Sequence, residues 1–119
     1  MKSYTDLEQS KKLAEILSIE SADMCYPKDA FEYHYAKEPV CHYSGIGLAH
    51  PCWSLAALID VLPLEVEAHK QTDGHKIYYY VESYMKRNGK EIYQSTERHE
   101  NLIDACYEMI LKLHKQNLL

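Results

Sequence analysis

The chain has 119 residues, with 18 acidic and 13 basic side chains and a formal net charge of −5. Nucleic-acid binding rests on neutralising phosphates with Lys and Arg, so this balance, with no run of basic residues, disfavours a general DNA or RNA role. The length fits one domain, residues 1–119, and 46% hydrophobic with 26% charged residues matches a globular protein.

From the N-terminus, "MKSYTDLEQSKK" lacks the apolar run of a signal peptide. Thr5 and Glu8 have the T-x-x-E spacing of a capping box, in which each side chain satisfies an orphan backbone donor at a helix start. A helix is predicted from about Asp6 to Leu17, with Leu7, Leu13, Ala14 and Leu17 inward. Residues 19–30 read as a loop. "FEYHY" alternates Phe31, Tyr33 and Tyr35 against Glu32 and His34, the pattern of a half-wet strand. After a turn at "KEP", a second short strand is predicted over Val40 to Tyr43. Gly45 and Gly47 then loosen the chain.

Pro51 suits the first turn of a helix, where its missing N–H has no partner to lose. That helix is predicted over Pro51 to Leu62, stopping before Pro63. Its residues are apolar on nearly every side, which predicts a central, buried helix. The run "LAALIDVLPL" is only about half a membrane span and contains Asp60 and Pro63. Leu64, Val66 and Ala68 alternate with glutamates and His69, which predicts a strand, with a turn at "TDG". A long strand follows from Lys76 to Lys86. Asn88-Gly89 is a strong signal for a two-residue hairpin turn, because both central positions of a type I′ turn need positive φ. It places Lys86 opposite Glu91, Met85 opposite Ile92 and Tyr84 opposite Tyr93. One face then carries Ile77, Tyr79, Val81, Met85 and Ile92. The other carries Tyr78, Tyr80, Glu82, Tyr84 and Tyr93. A last helix is capped by Asn101 and has an apolar stripe of Leu102, Cys106, Met109, Ile110 and Leu113. The predicted fold is α+β: an antiparallel sheet with a long hairpin, and N-terminal, central and C-terminal helices packed on it.

"CHYSGIGLAHPCW", residues 41–53, gathers chemistry-bearing residues. Zinc would use Cys41, His42, His50 and Cys52. Their spacing lacks the C-x₂₋₄-C knuckle, and adjacent Cys41 and His42 point to opposite sides of a strand. The plainer reading makes Cys41 and Cys52 buried small hydrophobes. As a nucleophile, Cys52 gains from the start of its predicted helix, where free N–H groups favour thiolate. Cys52-Trp53 is similar to the Cys-Trp step of papain-like proteases, with His69 or His75 as the base on later strands. The rest of that signature is absent. The four cysteines are expected as free thiols of a reducing, cytoplasmic compartment. His34, His99 and His114 read as surface or border histidines. Glu65 and Glu67 share a strand face that could meet a cation, although paired glutamates are more often only solvated. The tyrosine face, with Trp53, is expected to contact a protein partner or a second copy, since tyrosine offers area with a polar tip. The competing reading covers that face within the chain. No membrane contact is expected.

Three segments, "EQSKKLAEILSIESADM", "PCWSLAALIDVLP" and "IDACYEMILKLHKQNLL", resemble a family of small uncharacterised proteins of prophages and other mobile elements in gut anaerobic bacteria. The resemblance implies an accessory protein in the cytosol and carries over no activity, cofactor or site. The reading is a non-catalytic accessory or interaction protein, without cofactor, and a homodimer is expected. The alternative is a cysteine-dependent enzyme using Cys52 and His75, or a metal protein using Cys41, His42, His50 and Cys52.

Overall fold

A computed structural model of the chain describes residues 2–26, 39–41 and 50–119. The predicted "FEYHY" strand, Gly45, Gly47 and His42 lie outside the described residues. The chain divides into two compact units, one of residues 3–60 and one of residues 1–2 with 61–119. The class is α+β, with two antiparallel sheets.

In the first unit, helix α1 spans Leu7–Ala14. Its capping box is one residue later than the sequence suggests. Asp6 Oδ1 accepts from Gln9 N at 2.8 Å, and Gln9 Oε1 accepts from Asp6 N at 3.1 Å. Thr5 is withdrawn from capping because it is wholly buried and fully engaged. Its Oγ1 accepts from Trp53 N at 3.1 Å and shares a 2.7 Å bond with Ser10 Oγ. Its carbonyl accepts the Tyr26 hydroxyl at 2.7 Å, and its N–H donates to Trp53 O at 2.9 Å. The helix stops at Ala14 rather than Leu17, and Leu13 is the apolar residue it buries.

After a short 3₁₀ turn at Ile19–Ser21, strand β1 (Met24–Tyr26) runs between β2 (Val40–Cys41) and β3 (His50–Cys52), antiparallel to both. The segment predicted as the start of the central helix is therefore strand. Pro51 lies opposite Cys25, which is permitted because β3 is at the edge of the described strands and proline has no N–H to give a further partner. Helix α2 begins only at Leu55 and ends at Val61. Ser54 starts it: Ser54 Oγ accepts from Ala57 N at 3.2 Å, and Asp23 holds both the Ser54 N–H, at 2.9 Å, and its hydroxyl. Helix α2 is not the predicted all-round buried helix. Ala57 and Leu58 are buried, while Ala56 and Ile59 are exposed.

In the second unit, β4 (Val66–Asp73), β5 (Lys76–Arg87) and β6 (Lys90–Ser95) form a sheet in the order β4-β5-β6. The β5–β6 register is the predicted one, with Tyr84 opposite Tyr93, Met85 opposite Ile92 and Lys86 opposite Glu91. Asn88 has φ 53° and Gly89 φ 77°, the two positive values of a type I′ turn. The β4–β5 turn falls on Gly74-His75, one residue beyond the predicted "TDG" centre, with Gly74 at φ 64°. Helix α3 (Leu102–Lys115) packs on β5. Its Asn101 side chain accepts from Asp104 N at 2.8 Å, as predicted. Val81, Ser83 and Met85 on the inner sheet face are buried, as are Ile103, Ala105, Cys106, Met109, Ile110 and Leu113 on α3. His99 is not simply in a loop: its backbone pairs with Tyr79 through bonds of 2.7 and 2.8 Å, and its ring meets Glu108 at 2.8 Å.

A Cβ at Gly89 would meet nothing within 4 Å, so any cost of substitution there comes from the backbone alone. Gly89→Val should destabilise the fold by about 1–2 kcal/mol, the penalty for a left-handed L-residue, and Gly89→Asn by much less. Chemical denaturation of the three proteins checks the order, and equal midpoints for Val and Gly would remove the turn assignment.

Candidate functional site

The pleat of β5 sends Val81, Ser83 and Met85 inward and the residues between them outward. The outer face therefore gathers Glu67 and His69 of β4, Tyr78, Tyr80, Glu82 and Tyr84 of β5, and Tyr93 of β6. Glu67 stands directly opposite Glu82, and His69 opposite Tyr80. The His69 and Tyr80 rings stack at 4.9 Å between centroids, 18° from parallel. His69 Nε2 lies 2.6 Å from Glu82 Oε1 and 3.6 Å from Glu67 Oε2. The other Glu82 oxygen accepts the Tyr93 hydroxyl at 2.6 Å. That bond, more than the His69 contact, holds the Glu82 carboxyl below its ordinary range, and the same bond raises the Tyr93 phenol. Glu65 does not join this group as the sequence pairing suggests. Arg87 binds it at 2.8 Å and lowers its pKa.

The predicted tyrosine contact face is half covered from within the chain. The Arg98 guanidinium sits over the Tyr78 ring at 4.9 Å, and His69 covers Tyr80. Tyr84 and Tyr93 remain open, at 52% and 63% exposure. Trp53 has to be removed from the predicted contact residues. It is wholly buried, and its indole N–H donates to Ser21 Oγ at 2.9 Å.

The cysteine candidates fare differently from one another. Cys52 is in strand β3, not in the first turn of a helix, so the predicted placement among the free N–H groups of a helix start is not met. It is wholly buried, and burial raises its thiol, against the lowering by bonds to Thr5 and Ser10. Its nearest partners are Thr5 O at 3.4 Å and Thr5 Oγ1 at 3.6 Å. His75 belongs to the other unit, in the exposed β4–β5 turn. Cys41 and Cys52 lie on the strands flanking β1, both opposite Met24, and so are two strand spacings apart, roughly 10 Å between backbones. His50 shares β3 with Cys52. Cys25, Cys52 and Cys106 are free, buried thiols, and burial pushes Cys106 up to about 11.

The Glu67–His69–Glu82 group was only half visible in the sequence. The i, i+2 spacing of Glu67 and His69 puts them on one strand face, but Glu82 joins them only through the β4–β5 register. The signal that could have found it is the tight turn at Gly74: pairing outward from Asp73 and Lys76 brings Glu67 opposite Glu82.

Compared with known proteins, the chain matches no family model, no curated protein and no solved structure. Two outcomes follow from the geometry. In native protein at neutral pH, Cys52 and Cys106 should resist alkylation until the fold opens, and Cys52→Ala should lower stability by roughly 1–2 kcal/mol; fast selective labelling of Cys52 would contradict its buried state. The depressed Glu82 carboxyl contributes stability that is present above its unfolded pKa of about 4.3 and is lost as pH falls through its lower folded value. Tyr93→Phe should therefore lower the melting temperature at pH 7, and the difference should vanish on acidification below the carboxylate range.

Proposed function

We propose that this chain is a small, non-catalytic accessory protein of the cytoplasm that acts by protein contact, with a second copy of itself as the first partner. The observation that supports this best is the exposed Tyr84–Tyr93 pair, placed side by side across β5 and β6. Aromatic residues with polar tips are the favoured anchors of protein interfaces. The Tyr93 hydroxyl is already held by the Glu82 carboxylate, and Glu91 lies on the same face opposite Lys86. The same carboxylates would repel phosphates, which speaks against nucleic acid on this face. A twofold contact, the commonest way for like chains to associate, would bring the pair onto its own copy.

The cytoplasmic setting draws on the buried free thiols, which a reducing compartment maintains. Among the described residues, no helix is long and apolar enough to cross a membrane. The resemblance of three segments to small prophage and mobile-element proteins supports an accessory role. The cysteine-enzyme alternative loses its main support, because Cys52 is neither exposed nor at a helix start.

Sedimentation equilibrium at micromolar concentration should give twice the chain mass of 13.9 kDa. Tyr84→Asp should return the monomer, because a charge buried without a partner costs several kcal/mol. A monomeric mass across that range would remove self-association, and an unchanged dimer in Tyr84→Asp would move the contact elsewhere.

A further inference from the structure

Two carboxylates directly opposite one another on paired strands repel, yet Glu67 and Glu82 hold that position. Among the described residues, no lysine or arginine forms an ion pair with either. Arg87 is bound to Glu65, and Arg98 lies beside Asp73. The group that both face is the His69 imidazole. Its Nε2 is shielded from solvent, and it makes no hydrogen bond of acceptable direction, despite the 2.6 Å approach of Glu82 Oε1. The nitrogen thus points into the space between two anionic oxygens without an aligned partner.

We infer that Glu67, His69 and Glu82 form a binding site for a divalent transition-metal ion, with Zn²⁺ as the ion their chemistry suits. One ligand atom from each residue lies within 4.8 Å of the other two. Ligands held tetrahedrally at about 2.0–2.2 Å from one ion stand roughly 3.3–3.6 Å apart, so the 3.6 Å separation of His69 Nε2 and Glu67 Oε2 already suits an ion, and Glu82 Oε1, at 2.6 Å, has to draw back as the ion enters. The donor set is one imidazole nitrogen and two carboxylate oxygens, a borderline mixture that zinc accepts and that offers no thiolate. A 2+ charge neutralises the two glutamates, which removes the repulsion that the register imposes.

The surroundings are those that a metal site needs. Tyr93 donates to the Glu82 oxygen that does not face His69 and so fixes the carboxylate plane. Tyr80 stacks on the His69 ring and limits its rotation. Such outer contacts orient ligands and tune their basicity. Glu67 is the exposed member, with its side chain 73% open. Three protein ligands leave a fourth tetrahedral position on that open side, which water or a donor from a partner can take. This site goes beyond the contact function proposed above and does not rest on it, since metal is counted per chain whatever the oligomeric state.

The test is equilibrium dialysis of the full chain against Zn²⁺ at neutral pH, with Co²⁺ absorption as the spectroscopic probe. One equivalent per chain is expected, with a Co²⁺ spectrum free of sulfur-to-metal charge transfer. His69→Ala and Glu82→Gln should each weaken binding by at least tenfold, and Tyr93→Phe by about tenfold, the lower end for loss of an outer contact. His75→Ala should bind as the parent does. Zn²⁺ should raise the melting temperature of the parent but not of His69→Ala, with circular dichroism showing both folded. Absence of stoichiometric Zn²⁺, a sulfur charge-transfer band, or binding unchanged in both His69→Ala and Glu82→Gln would overturn the assignment.

Discussion

Strand β5 is hydrogen-bonded along both edges, to β4 on one side and β6 on the other, and the structure of residues 61–119 depends on its register. A slip of one residue would turn every side chain to the opposite face. Val81 and Met85 would leave α3, and the tyrosines and Glu82 would enter the core. Two tight turns prevent the slip, one at Gly74-His75 and one at Asn88-Gly89, each with backbone in the positive-φ region. The inner face then buries Val81 and Met85 against α3, and fully burying side chains of this kind contributes about 1.5–3 kcal/mol each. The outer face follows with no freedom left.

In residues 3–60 the corresponding constraint is polar. Thr5 is wholly buried, and its N–H, carbonyl and hydroxyl all have partners: Trp53, Tyr26 and Ser10. An unpaired polar group at such depth costs about 1–3 kcal/mol, so these bonds hold the Tyr4–Thr5 and Trp53–Ser54 segments together as firmly as a strand pair. Cys52 lies inside this network and packs as a small side chain. Its thiol bonds to Thr5, and burial raises its pKa.

The outer face of the β4–β6 sheet combines features that compete electrostatically. Opposed glutamates, a histidine between them and a tyrosine hydroxyl on one carboxylate make a polar group whose charge is not balanced by any neighbouring lysine or arginine ion pair among the described residues. Natural sheets more often place opposite charges across a strand pair. Where local preference and the observed register disagree, function is the usual cause. Glu82 also holds the hydroxyl of the open Tyr93, so the contact face and the proposed metal site share these two residues.

The local patterns determined much by themselves. The α3 stripe with its Asn101 cap, the Asn88-Gly89 hairpin and the division of β5 into two faces were all legible, because each is set by neighbours within a few residues along the chain. The capping box moved by one residue because Thr5 was claimed by Trp53, 48 positions away. Pro51 became strand rather than helix because Met24–Tyr26 lay available to pair with it, and the apolar run after it could not report which of its residues preceded the helix. Trp53 looked like an anchor for a partner, but tertiary packing buries it wholly. Glu67, His69 and Glu82 are ordinary surface residues in sequence, and only the antiparallel register set them face to face. Periodicity and turn chemistry encode which face a residue takes; which distant residue meets it there is decided by strand pairing and burial.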